Sequence, residues 1–172
     1  MNLFDAITRR QSIRRFTSQP VSDAAIRQIV AATNRAPSAG NLQAYQIYIV
    51  KEASVRRRLD AVSGSQGPVA QAPVVLVFCA MPHRSAAKYG ARGEQLFCVQ
   101  DATIACAYAQ LAATALGLAS VWIGAVFEPE LIDEALKLEG DVWPIALLPI
   151  GYPAESPARN SRRALSDLVR EM

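Results

Sequence analysis

The chain has 172 residues, of which 51% are hydrophobic and 19% charged, with 18 basic against 15 acidic side chains and a formal net charge of +3. That length suits one domain, and that apolar content excludes a disordered chain and points to surface covered by a partner chain. The mild positive balance is no nucleic-acid signature, and three scattered cysteines with one histidine exclude a dedicated Cys/His metal site.

The first predicted element is a short helix around Asn2–Arg9, followed by the basic segment Arg10–Phe16. The start of the chain meets charge by residue 5 and has no apolar stretch of secretory length, so the expected location is cytoplasmic. Ser22 offers an N-cap to a helix in which Ile26, Ile29, Val30 and Thr33 keep helical spacing, and which ends before Pro37. Gln46–Val50 reads as a strand and Ser54–Val62 as a charged helix. Ser63–Pro73 is a predicted loop, and Val74–Ala80 a strand covered on both faces.

Met81–Glu94 reads as a polar loop or irregular helix. Ala102–Leu118 carries no charge and seven alanines, which predicts a thin, buried helix at a subunit interface rather than a membrane span. Ser120–Ile123 is a predicted short strand, Glu130–Leu138 a helix and Pro144–Gly151 the last apolar strand. The tail from Tyr152 to Met172 begins with prolines and ends in a short helix-like segment. Four strands interleaved with helices indicate a layered α/β or α+β domain.

Four segments could carry chemistry. Arg10, Gln11, Ser12, Ile13, Arg14 and Arg15 form the densest basic run, where guanidinium forks and a hydroxyl match phosphate oxygens; a solvated basic turn has the same composition. Arg159, Arg162 and Arg163 form a second cluster at the far end of the chain, and the two would make a strong anion site if they met. Pro37, Ser38, Gly40, Asn41 and Gln43 offer a turn with short amide and hydroxyl groups, able to address a planar heterocycle or simply to link helix and strand. Trp122, Ile123, Gly124 and Ala125 end a strand with small residues that let a ligand approach backbone N–H groups. No dinucleotide-binding glycine motif, phosphate-binding loop, nucleophile elbow or nucleophile–base pair is present, so an enzyme of this kind would delegate its chemistry to a cofactor.

Taken together, RRQSIRRF, APSAGNLQAYQIYIV, LGLASVWIGAV, LLPIGYP and the Arg-rich tail resemble, in order and over roughly residues 5 to 169, the nitroreductase family of FMN-dependent oxidoreductases. The resemblance implies a single α+β domain over 1–172 with a central, mostly antiparallel sheet flanked by helices. It further implies an intertwined homodimer, with the tail 152–172 extending onto the partner subunit and FMN at the interface. Arg10, Gln11, Ser12 and Arg14 then hold the phosphate and ribityl chain, and Arg162 with Arg163 closes on the same phosphate. Pro37, Ser38 and Asn41 match the loop that touches the flavin from the other subunit. Ile123, Gly124 and Ala125 face the N5 edge, and Gln66 the pyrimidine edge.

The activity implied is hydride transfer from NADH or NADPH, through flavin N5, to a small oxidant such as a nitroaromatic or quinone, in ping-pong order. Arg84, Lys88 and Arg92 are candidates for the dinucleotide's phosphates. The chain departs from the family pattern at Gln43-Ala44-Tyr45, where Gln-Pro-Trp is common, and at Asn160 and Pro68, where relatives often carry lysine. An FMN-binding sensor or store without turnover is the alternative reading. A nucleic-acid module is disfavoured because Phe16 is the only aromatic near either basic cluster.

Overall fold

The computed structural model describes residues 1–65, 67–124 and 129–172. Helices α1 (Leu3–Arg9) and α2 (Asp23–Thr33) precede strand β1 (Tyr45–Val50), helix α3 (Ala53–Ser63), the short helix α4 (Pro68–Gln71) and strand β2 (Val74–Ala80). Helices α5 (Pro82–Arg92) and α6 (Cys98–Ala115), strand β3 (Ala119–Ser120), helix α7 (Pro129–Leu136), strand β4 (Trp143–Gly151) and helix α8 (Leu165–Leu168) follow. The strands form one sheet in the order β1-β2-β4-β3, every pair antiparallel. This is the α+β architecture expected from the resemblance.

The sheet is the middle layer because β2 has no polar face. Val74, Leu76 and Phe78 pack with Ala146, Leu148 and Ile150 of β4 against α2 and α6. Val75, Val77 and Cys79 point the other way, into a cluster with Leu59 of α3 and Ile132 of α7. Strand side chains alternate, so a continuous apolar run fills both layers. Each fully buried large side chain contributes roughly 1.5–3 kcal/mol. Helix α6 follows the same logic: Ala102, Ala105, Ala109 and Ala113 are all fully buried at i+3 and i+4 spacing, which lets the helix lie close on the sheet.

Three expectations change or sharpen. The predicted loop 63–73 contains α4, because Asp60 Oδ1 caps it by accepting the N–H groups of Gly67, Val69 and Ala70 at 3.1, 3.0 and 3.2 Å. The segment 81–94 is helical through α5 and joins α6 through a π turn over Gly93–Phe97. The helical run Pro82–Ala115 is long and apolar enough to resemble a membrane span. Gly90 breaks it at φ 55 and ψ −146, and the arm that follows buries its alanines on the sheet, so it is a core helix.

The predicted strand 120–123 is also interrupted. Only Ala119–Ser120 pairs continuously with β4, and pairing resumes at Ile123, bonded both ways to Leu147 at 3.0 and 2.9 Å. Pro149 lies on the same side of β4 as Leu147, two residues on, and has no N–H to give across the gap. The chain there is free to lift away before Gly124.

Candidate functional site

Asn2 caps α1 by accepting the Asp5 N–H, and the chain leaves the helix at Arg10 in extended conformation. It then runs beside β3, where the Ile13 N–H donates to Ser120 O at 3.0 Å. It next pairs with the start of the tail, Thr17 N–H to Tyr152 O at 2.9 Å and Ala154 N–H to Arg15 O at 2.9 Å. Glu155 finishes the join, accepting the Arg14 N–H at 2.6 Å and the Arg15 N–H at 3.3 Å.

This pairing answers the question the sequence left open. Arg10, Gln11, Ser12 and Arg14 share the wall of one cavity of about 830 Å³ with Arg159, Asn160 and Arg162. Among the described residues, the close contacts between basic and acidic side chains are Lys51–Asp23 and His83–Asp141, and neither involves this wall. Four guanidinium groups therefore face one cavity without carboxylate partners, an arrangement that repels itself and favours an anion. Ile7 and Thr8 also line it. Arg163 does not: its guanidinium donates to Asp167 O at 2.8 Å in the tail.

The loop after α2 is built separately. Gly40, Asn41 and Gln43 take φ of 56, 56 and 50°, in the left-handed region. The Ser38 hydroxyl accepts the Gln43 N–H at 2.9 Å, and buried Asp101 of α6 accepts the N–H groups of Ala39 and Ala44 at 2.9 and 3.3 Å. Burial, and then the charge of Asp101, push the Tyr45 phenol up from its ordinary value. Pro37, Ser38 and Asn41 do not line the arginine cavity of their own protomer.

Ile123 is buried and Gly124 exposed, a few residues beyond the Ser120 carbonyl that anchors Ile13. Gln66 and Ala125 lie outside the described residues. Pro68 is buried at the first position of α4.

Helix α5 borders the Pro37–Gln43 loop. The Arg84 Nε donates to Leu42 O at 2.5 Å, while Lys88 lies over the Tyr89 ring at 5.4 Å and Arg92 over the Phe97 ring at 5.5 Å. Sequence reasoning missed Glu155 and Asp101 as site-building residues. The only local trace was a single acid at the head of a charge-free helix and another amid prolines.

The sequence matches the nitroreductase family over residues 7–71 and 60–152. It is 34% identical over 171 residues to the FMN reductase [NAD(P)H] of Bacillus subtilis, covering 91% of this chain and 68% of that protein. It is 31% identical over 192 residues to an NADH dehydrogenase of Thermus thermophilus, covering 95% and 93%. The NADPH:FMN oxidoreductase of Vibrio harveyi, solved with NAD+, superposes with a TM-score of 0.90 at 28% identity, over 99% of this chain and 77% of that one. Fold, motif order and these likenesses agree: the chain belongs to the nitroreductase family.

Proposed function

We propose that the protein is an FMN-dependent NAD(P)H oxidoreductase in which the arginine cavity holds the FMN phosphate. The observation that carries this reading is the convergence of two basic segments from opposite ends of the chain on one cavity of about 830 Å³. That volume lies within the usual range for cofactor sites, and unpaired guanidinium groups with the Ser12 hydroxyl suit a phosphate and a polyol chain. FMN therefore fits the residues present. When bound, it supplies hydride acceptance and donation at N5.

The chain's own work is positioning. Arg10, Arg14 and Arg162 neutralise the phosphate; Gln11 and Ser12 hydrogen-bond the ribityl chain. Pro37, Ser38 and Asn41 come from the partner subunit's copy of the loop, which explains why they stand clear of the cavity in their own protomer. Ile123 and Gly124 lie along the N5 edge of the ring. NAD(P)H and a small oxidant, such as a nitroaromatic or quinone, use one site in turn.

A homodimer belongs to this proposal, as does a single domain over 1–172 whose tail crosses to the partner. Residues 156–172 are exposed throughout, including Leu165 and Val169 at 75% and 57%. Leu3 and Phe4 of α1 are 62% and 78% exposed. The chain's accessible surface, 9941 Å², exceeds the roughly 8,200 Å² of a compact monomer of 18.6 kDa. Apolar arms of this kind are stabilised by a second copy. Cytoplasmic location belongs to the same proposal, supported by the NAD(P)H requirement and three free cysteines.

The test is the visible spectrum of the purified protein under nitrogen, before and after addition of NADH or NADPH. A flavin spectrum that bleaches supports the reading and identifies the donor. A flavin that stays oxidised with both donors supports a sensor or store instead, a reading that the reductase names of the relatives disfavour. A colourless protein that binds no added FMN sinks the proposal.

A further inference from the structure

The loop between α2 and β1 holds a conformation that its residues do not favour alone. Gly40, Asn41 and Gln43 all have φ near +50 to +56°, and two of the three are not glycine. Such a run persists only where its surroundings fix it. Ala39 and Ala44 bracket the run, and both give their N–H to one side chain, the carboxylate of Asp101, at 2.9 and 3.3 Å.

Asp101 is only 2% exposed and lies in α6, 62 residues from Ala39. Among the described residues it has no cationic partner. A buried carboxylate without a cation is tolerated where N–H donors satisfy it, so the loop and the acid each need the other. Within the clamp, the Ser38 hydroxyl accepts the Gln43 N–H, which leaves its own hydrogen available to a ligand.

We propose that Asp101 is the positioning residue for the ring-facing loop: its carboxylate fixes Ser38 and Asn41 in the geometry that recognises the isoalloxazine system. This rests on the FMN reading above. It separates two tasks, since the arginine cavity reads the phosphate while Asp101, through the loop, governs recognition of the ring.

The separation gives the test. Apoprotein is titrated with FMN and with riboflavin, which has the ring but no phosphate. Asp101→Asn keeps the shape but turns an amide donor towards one of the two N–H groups. It is expected to raise the Kd of both flavins by the same factor, at least about ten-fold, and to alter the visible band of the flavin that still binds. Arg162→Gln is expected to raise the Kd of FMN alone. A mere loss of stability would lower the unfolding temperature without changing the spectrum of bound flavin.

Wild-type affinity for riboflavin with an unchanged band in Asp101→Asn would overturn the proposal. A wild type that binds neither flavin would instead sink the FMN reading beneath it. If Asp101→Asn does not fold, Ala39→Pro removes one of the same bonds from the loop side. Ser38 already has the extended φ −142 and ψ 156 that a residue before proline adopts. Unchanged affinity for both flavins in that variant also overturns the proposal.

Discussion

Glu155 accepts the backbone N–H of Arg14 at 2.6 Å, across 141 residues of chain. The carboxylate takes main-chain donors and leaves the guanidinium free, so an acid beside an anion site strengthens it by placement. Glu155→Ala is expected to weaken FMN binding about ten-fold, matching the roughly 1.5–3 kcal/mol of a charged hydrogen bond less solvent screening. Riboflavin affinity should hold, and flavin titrations of the apoprotein check both.

Asn160 lines the arginine cavity between Arg159 and Arg162. Asn160→Lys should tighten FMN binding several-fold and steepen its dependence on salt, because a further cation joins the phosphate shell. Affinities measured at low and high ionic strength provide the comparison. An unchanged salt slope would mean that the side chain does not reach the phosphate.

Lys88 and Arg92 rest on aromatic rings of α5 and the following π turn. Replacing both with Gln should raise the KM for NAD(P)H several-fold with kcat little changed, the mark of lost ground-state binding. Arg84 is left intact in this test because its bond to Leu42 O also supports the loop. Steady-state kinetics with each donor show which of them the two cations serve.

Gly93 marks where α5 and the π turn close on each other: a Cβ there would lie 2.5 Å from Ser85 O, a backbone atom. Gly93→Ala should destabilise the protein by about 1–3 kcal/mol, since the backbone must move to make room. Thermal unfolding checks this. Gly90→Ala offers a useful contrast, because it meets no atom within 4 Å but sits at φ +55. Its cost is conformational alone, about 1–3 kcal/mol, because φ 55 with ψ −146 is a region essentially reserved for glycine.

Burial pushes the Cys79 thiol up from 9.0 to about 12, with a smaller contribution from the charge of Asp133. Burial raises Cys106 as well. In the unfolded chain these thiols lose their protons near pH 9, whereas the folded protein keeps them. Their contribution to stability is therefore complete below pH 9 and drains as pH rises from 9 towards 12. Denaturant midpoints should fall over that window, and Cys79→Ala should flatten the fall.

Much of the fold is legible in the sequence because it is local. Val74–Ala80 announces a strand covered on both faces, and Ser22, whose hydroxyl accepts the Ala25 N–H, announces the start of α2. The interruption after Ser120 was hidden because its cause, Pro149, lies on another strand. Both arginine clusters were visible as clusters, but their meeting depends on the pairing of residues 15–17 with 152–154. Asp101 looked like the edge of an apolar helix; only tertiary structure shows the two amides that it holds.

The arginine cavity joins Arg10 to Arg162, with almost the whole chain between them. During synthesis, the first wall of the cavity emerges from the ribosome long before the second exists. A nascent chain therefore exposes a bare cationic turn with nothing to close over an anion. Closure of both walls around an anion thus follows synthesis of the Arg159–Arg162 segment.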